Sequence, residues 1–293
     1  MSAVLSITDL VVRFDVGGGA AVDGVSLELR RGEIFGVVGE SGSGKSTLAS
    51  AVMGLLPSSA SVSGSIRING REVVRLSDAE FRPMRGAEVA MIFQDASASL
   101  DPTWSVGDQI AEALRAHRLS ARDAKAGAIA LMTEVGIAEP GRRYYDPPHR
   151  LSGGMRQRIV IAAAIANNPA LLIADEPTTA LDVTIQAQVL QLIDKLRREH
   201  GTTVMLITHD LGVVSQACDR VGVMYGGRLL EVATAADLFA HPVHPYTRAL
   251  LAANPAAAPR GARLPVIPAE WSVESLEEAE RICGANAWEA VRL

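Results

Sequence analysis

Gly39-Glu40-Ser41-Gly42-Ser43-Gly44-Lys45-Ser46-Thr47 satisfies every fixed position of the phosphate-cradling pattern G-x-x-x-x-G-K-[ST]. Glycines at 39, 42 and 44 let the backbone curl so that successive N–H groups point into one concavity, where phosphate oxygens replace water. Lys45 supplies a point charge for the β- and γ-phosphates, and the Ser46 hydroxyl can ligate Mg²⁺. The flanking residues supply the context that the pattern requires. Residues 34–38 are a short apolar run of buried-strand type, and residues 48–56 read as part of a helix opening near Gly44, whose N-terminus favours an anion. Without that context, a Gly/Ser-rich turn with a lysine would be only a flexible connection. Strand, loop and helix together read as a nucleotide site.

Composition bounds what surrounds it. A chain of 293 residues can form one large domain or two modest ones with a substantial core. A net charge of -5 argues against a general nucleic-acid surface. The two cysteines, Cys218 and Cys283, are too few for a disulfide framework and suit a reducing compartment. Residues 1–15 lack a basic head followed by a long apolar core, so no export leader is expected. The most apolar stretch, Ile159 to Ala166, is closed off by Arg158 and by Asn167 and Asn168, short of membrane-spanning length.

Along the chain, residues 4–14 and 25–30 alternate apolar with polar like half-buried antiparallel strands, with a glycine turn at 17–19. Phe14 lies upstream of the phosphate loop, where a ring can stack on a nucleobase, although an aromatic in this setting is more often plain core. Residues 63–70 look like another strand ending in a turn, and Ser77-x-x-Glu80 is a capping box. A strand over 88–94 ends on Gln94, whose amide oxygen can face a metal or water or can be an ordinary polar strand end. Residues 107–136 are mostly helical in pattern, with Gly136 as a stop. Residues 146–154 are not helix, and a helix starts at Met155, which puts Ser152, Gly153 and Gly154 at a helix N-terminus as a second potential anion site. An apolar strand over 170–175 ends in two carboxylates, Asp175 and Glu176. Two adjacent acids beside a phosphate loop suit two roles: a share in the Mg²⁺ shell for Asp175, and water orientation and deprotonation for Glu176. A further buried strand over 203–209 finishes on His209, and a hairpin is expected through Gly226 and Gly227.

Taken together, these stretches resemble the ATP-binding subunits of ABC transporters over nearly all of residues 4–255. In that resemblance Gly39 to Thr47 is the Walker A loop, Gln94 the Q-loop glutamine and Leu151 to Gln157 the signature motif. Leu171 to Asp175 is similar to Walker B, with Glu176 as catalytic glutamate, Ala180-Leu181-Asp182 to the D-loop, and His209 to the switch histidine. Phe14 resembles the base-stacking A-loop aromatic, which is usually tyrosine. The resemblance implies ATP and Mg²⁺ as ligands. The nucleotide would be held by Phe14, by Gly39, Glu40, Ser41, Gly42, Ser43, Gly44, Lys45, Ser46 and Thr47, and by Asp175. The metal would be held by Ser46, Gln94 and Asp175. It also implies that Ser152, Gly153, Gly154 and Asp182 serve the nucleotide of an opposite subunit, identical or paralogous, so that one chain holds half of each site. The implied fold is α/β. A largely parallel central sheet carries the site at its carboxyl edge, with an antiparallel β-subdomain and a helical signature subdomain over about 95–165 inside a cassette spanning 1–240.

Three stretches narrow the branch. Gln94 to Pro102, Glu176 to Gln188 and His244-Pro245-Tyr246-Thr247-Arg248-Ala249-Leu250-Leu251 look like the peptide/nickel importer branch. That branch works with two transmembrane permease subunits and, indirectly, an extracytoplasmic solute-binding protein, from the cytoplasmic face of the cell membrane. Taken by themselves, residues 241–251 read as a Pro-punctuated linker and a surface helix. The extension over 241–293 offers one thiol, Cys283, too few for the iron–sulfur cluster associated with some members. It continues as an Ala/Pro-rich linker from Asn254 to Pro268 and a helix from Ser275 onward. The alternative class is a soluble ABC ATPase acting on DNA or the ribosome. It is disfavoured by the single cassette, the absence of a heptad run and the acidic balance. A non-catalytic regulatory module is disfavoured by the intact Lys45, Asp175, Glu176 and His209.

Overall fold

The computed structural model describes residues 3–15, 19–117, 119–179 and 181–253. The chain opens with β1 (Ala3–Phe14) and β2 (Ala20–Arg30), which pair antiparallel, and β3 (Ile34–Val38) then leads through the phosphate loop into α1 (Lys45–Val52). Next, β4 (Ala60–Ile68) and the two-residue β5 (Arg71–Glu72) return to the first sheet, whose order is β2-β1-β4-β5, all antiparallel. The short α2 (Asp78–Phe81) starts from the expected capping box at Ser77 and Glu80. After β6 (Val89–Ile92) come five helices: α3 (Ala96–Ser99), α4 (Val106–Arg115), α5 (Ala121–Glu134), α6 (Pro140–Arg143) and α7 (Gly153–Ile165). Then β7 (Leu171–Asp175), α8 (Val183–His200), β8 (Thr203–Ile207) and α9 (Leu211–Ala217) lead to the hairpin β9 (Arg220–Tyr225) and β10 (Arg228–Thr234). The described chain closes with α10 (Ala235–Ala240) and α11 (Pro245–Ala252).

The second sheet runs β10-β9-β3-β8-β7-β6, parallel except for the edge strand β10. Every residue of β3, β7 and β8 is buried, as an apolar strand in a parallel sheet must be when both faces are covered. Side chains alternate between two cores. Ile34, Val38, Leu172, Ala174, Val204 and Leu206 face the core beneath the helices. Phe35, Val37, Leu171, Ile173, Met205 and Ile207 face the core shared with the antiparallel sheet and α1. Among the described residues, no helix is long and apolar enough to cross a membrane.

Local boundaries depart from the sequence reading where capping chemistry was overlooked. The first helix was expected to run to Leu56 but stops at Val52. Gly54 takes φ +61°, its N–H donates to Ala51 O at 3.1 Å, and the Leu55 N–H donates to Ser50 O at 2.9 Å, a two-bond C-terminal cap. The helical stretch over 107–136 is two helices, the second capped by Ser120, which accepts from the Asp123 N–H. The signature helix begins at Gly153, two residues early, because Ser152 caps it by accepting from the Met155 N–H. Strands β6 and β8 end two residues before Gln94 and His209. Residues 241–251, which taken by themselves read as a linker and a surface helix, are anchored: α11 buries Tyr246 and Thr247. The β9–β10 turn is the expected two-residue hairpin, with Gly226 and Gly227 both at positive φ. Most of the glycine turn near residue 17, Cys283 and the tail from Asn254 onward lie outside the described residues.

Ile173 is fully buried at the centre of β7, between the two sheets. Ile173→Ala is expected to lower unfolding stability by about 3 kcal/mol, read as a drop in the urea midpoint at unchanged slope.

Candidate functional site

The site sits where the parallel strands end. The loop after β3 can close only because two of its glycines lack side chains. A Cβ on Gly39 would lie 2.1 Å from Met224 O, and one on Gly44 would lie 2.3 Å from Ala21 O. The hairpin turn and β2 therefore form a wall against which the loop backbone lies. The wall is bonded as well as close: the Gly227 N–H donates to Ser43 O at 3.1 Å, and the Asp23 N–H donates to Gly227 O at 2.8 Å.

Lys45, only 6% exposed, donates from Nζ to Gly39 O at 2.8 Å, Glu40 O at 2.6 Å and Ser43 Oγ at 3.2 Å. Burial lowers its pKa, opposed by the charges of Glu176, Asp175 and Glu40. The cation is thus held by the loop that would cradle a phosphate, with oxygens that a phosphate can replace.

At the end of β7, Asp175 is also 6% exposed, and burial raises its pKa against the Ser46 hydrogen bond. Its Oδ1 is buried with no hydrogen-bond partner. An orphaned carboxylate oxygen beside a serine hydroxyl is a hard-oxygen pair of the kind Mg²⁺ takes, so the residues present fit the ion.

Glu176 adopts φ +47°, a left-handed conformation that costs a non-glycine residue on the order of 1 kcal/mol. Its backbone N–H donates to Ile207 O at 2.8 Å, which holds the turn against β8. Three side chains converge on its carboxylate. Gln94 Nε2 and Thr179 Oγ1 each donate to Oε2 at 2.8 Å, and His209 Nδ1 lies 3.0 Å from Oε1. Burial pushes the Glu176 carboxyl up, but the hydrogen bonds from His209 and Thr179 and the nearby charges of His209 and Lys45 outweigh it and hold the group below its ordinary value. An ionised carboxylate only accepts, so His209 donates through Nδ1 and keeps Nε2 for a ligand.

Gln94, Lys45, Asp175, Glu176 and His209 therefore meet around one edge of the sheet. Thr179 was missed by the sequence reading, although its place three residues after Glu176 is the spacing of a local side-chain bond. The hairpin wall at Met224 and Gly227 was missed as well, and no local pattern announces it. Phe14 is half-buried at the end of β1, packed on the core between the sheets. Glu40, Ser41, Gly42 and Ser46 are exposed at the loop's mouth. Ser152, Gly153 and Gly154 belong to a different neighbourhood, the start of α7, where a Cβ on Gly154 would lie 2.8 Å from Ile185 in the first turn of α8. Asp182 caps α8 by accepting from the Ile185 N–H at 2.9 Å. Ala180 lies outside the described residues.

A family model described as "ABC transporter" matches residues 22–179. The chain belongs to the ABC transporter family. A second model, "Oligopeptide/dipeptide transporter, C-terminal region", matches residues 230–284. The dipeptide transport ATP-binding protein DppD of Bacillus subtilis is 50% identical over 90% of this chain and 80% of its own length. The oligopeptide transport ATP-binding protein OppD of Lactococcus lactis subsp. cremoris is 48% identical over 94% and 82%. Among solved structures, the dimeric ATP-binding cassette MJ0796 in a post-hydrolysis state, bound to ADP and Pi, superposes with a TM-score of 0.70 at 28% identity, covering 79% of this chain and 98% of that one. CbiO1 of Clostridium perfringens, part of an ABC transporter complex, gives 0.72 at 27% identity, covering 85% and 95%. This ABC transporter chain is accordingly an ATP-binding, ATP-hydrolysing subunit with the family's fold.

Because burial disfavours the Asp175 charge in the folded state, the group takes its proton back more readily there than in the unfolded chain. It opposes folding increasingly as pH rises through its unfolded pKa. Asp175→Asn is expected to raise the thermal midpoint of the nucleotide-free protein by about 2–4 °C, the shift that ~1 kcal/mol produces at this size, while abolishing turnover. Differential scanning calorimetry at pH 7 and a phosphate-release assay check the two halves.

Proposed function

We propose that the chain is an ATPase subunit that energises a membrane importer of peptides or related small solutes, working on the cytoplasmic side against permease subunits. The observation that carries this reading is the convergence of Gln94, Thr179 and His209 on Glu176, beside a caged Lys45 and an orphaned Asp175 oxygen. Those are the parts that phosphoryl transfer to water needs. The identity of about half the residues with peptide-transporter ATP-binding proteins supports the solute class.

In this reading Lys45 exchanges the carbonyls of Gly39 and Glu40 for phosphate oxygens, and the loop N–H groups follow. Ser46, Asp175 and the Gln94 amide oxygen would hold Mg²⁺, which would offset phosphate charge when bound. Glu176 accepts a proton from the attacking water, and His209 orients Glu176 through Nδ1 while offering Nε2 to the phosphate side. Phe14 stacks on the base. A second ATPase subunit supplies Ser152, Gly153, Gly154 and Asp182 across a head-to-tail interface, in keeping with the dimeric state of a solved relative.

The permease contact falls on a groove of about 720 Å³ between the sheet edge and the helices, lined by Leu55, Phe93, Leu100 and Trp104. Phe93 and Trp104 remain 47% and 45% exposed there, unusual for large apolar side chains. Phe93 precedes Gln94, so a permease segment seated in the groove acts directly on the residue that holds Glu176.

Purification from gentle detergent extracts of the native host, with mass identification of partners, tests the assignment. Two multi-spanning proteins and a solute-binding protein are expected. Ribosomal or DNA-repair proteins without a membrane subunit would overturn it. Glu176→Gln is expected to retain ATP binding and slow hydrolysis by roughly 10²-fold or more; unchanged turnover would remove Glu176 from its role.

A further inference from the structure

His209 grips Glu176 from an open position. Its side chain is 62% exposed, so packing does not fix the ring, and the 3.0 Å contact from Nδ1 to Glu176 Oε1 depends on where the backbone places it. That backbone is held on both sides. Before it, Thr208 is buried and its N–H donates to Val37 O at 3.2 Å, which ties the loop to the strand entering the phosphate loop. After it, the Asp210 N–H donates to Thr208 Oγ1 at 3.0 Å, and Asp210 Oδ1 accepts from the N–H groups of Gly212 and Val213 at 2.8 and 3.3 Å.

The other oxygen of Asp210 is engaged by a different element. Gln186 Nε2, in the first turn of α8, donates to Asp210 Oδ2 at 3.1 Å. A carboxylate only accepts, so the amide must face it with its nitrogen. Gln186 is half-buried, and its own backbone N–H donates to Asp182 O at 2.8 Å, beneath the cap that Asp182 gives the helix. Asp210 thus has one oxygen on α9 and one on α8. It cannot turn about its Cβ–Cγ bond without breaking a hydrogen bond. Misplacing a reacting constellation by about 1 Å can cost as much as 10²-fold in rate, so an anchor beside His209 bears on turnover.

We propose that Gln186 is a positioning residue for ATP hydrolysis. By holding Asp210 Oδ2 it fixes the backbone next to His209, and so the direction from which the imidazole grips Glu176. This rests on the reading of Glu176 as the base and His209 as its orienter. Gln186 acts through Asp210 and His209, so its loss falls on the chemical step and spares nucleotide binding, which the phosphate loop governs.

Steady-state hydrolysis, ATP affinity and thermal midpoints of full-length variants test this. His209→Ala is expected to lower kcat roughly tenfold or more; unchanged turnover would overturn the reading of His209, and the proposal with it. Gln186→Met keeps the reach of the side chain and removes the donor. It is expected to lower kcat about fivefold, the scale of one modest hydrogen bond, with ATP affinity unchanged and the thermal midpoint within about 2 °C of wild type. Gln186→Lys returns a donor to Asp210 and should keep kcat within about twofold of wild type, whereas Gln186→Glu sets two carboxylates against each other and should lose at least as much as Gln186→Met. Added to His209→Ala, Gln186→Met should cost nothing further, because both changes act through one group. Undiminished kcat in Gln186→Met, equal losses in Gln186→Met and Gln186→Lys, or a full further loss on top of His209→Ala would overturn the proposal and leave the roles of His209 and Glu176 intact. Should Gln186→Met lose its fold, Gln186→Lys against Gln186→Glu decides, and equal kcat in those two would overturn it.

Discussion

A lysine amine and a carboxylate are buried together at the edge of an otherwise apolar sheet, and the local architecture answers to that burden. An ammonium as enclosed as Lys45 is stable only when its three donors find oxygens, and the loop supplies two backbone carbonyls and the Ser43 hydroxyl. To bring those oxygens inward the backbone must run against Met224 and Ala21 at distances that exclude any Cβ. The glycines at 39 and 44 follow from that approach. So does the two-glycine hairpin, whose Gly227 N–H takes the Ser43 carbonyl. The strands that hold the loop from below are buried on both faces, so the cradle sits on a rigid floor.

The same edge stores tension in a second place. Glu176 combines a left-handed backbone with a carboxylate held by Gln94, Thr179 and His209. Such strain persists only where surrounding bonds over-determine it. The three partners come from three separate segments: the loop after β6, the turn after β7 and the loop after β8. A movement of any one of these segments changes how tightly Glu176 is held. This couples the groove beside Phe93 to the carboxylate without any long relay. The distribution of charge is also uneven: Asp175 is pushed toward its neutral form and Glu176 toward its ionised form, so two adjacent acids are fitted to different tasks.

Periodicity and motif chemistry were enough to read much of this from the chain. The all-apolar runs at 34–38, 171–175 and 203–207 could only be strands covered on both faces, and the phosphate pattern between the first of them and a helix placed the site. The misreadings share one physical origin, since the energy of a helix end or an anchor lies in single hydrogen bonds rather than in periodicity. Gly54 stops a helix that the apolar pattern would continue, Ser120 splits one pattern into two helices, and Ser152 starts α7 earlier than its apolar run suggests. Prolines make residues 241–251, taken by themselves, read as a linker; the resemblance to peptide-importer subunits marks them as more than that, and their anchoring depends on a carboxylate more than ten residues upstream.

The sequence by itself determined the identities at the site and the order of the segments that carry them, because residue type dictates what each group can donate, accept or titrate. Only the tertiary structure decided which groups meet: that Thr179 joins Gln94 and His209 on one carboxylate, that Met224 and Ala21 wall the phosphate loop, and that Tyr246 packs on Tyr225. Those contacts join residues up to about two hundred positions apart. Close packing of two sheets and a helical layer sets the long-range ones among them, and no short window along the chain contains both of their partners.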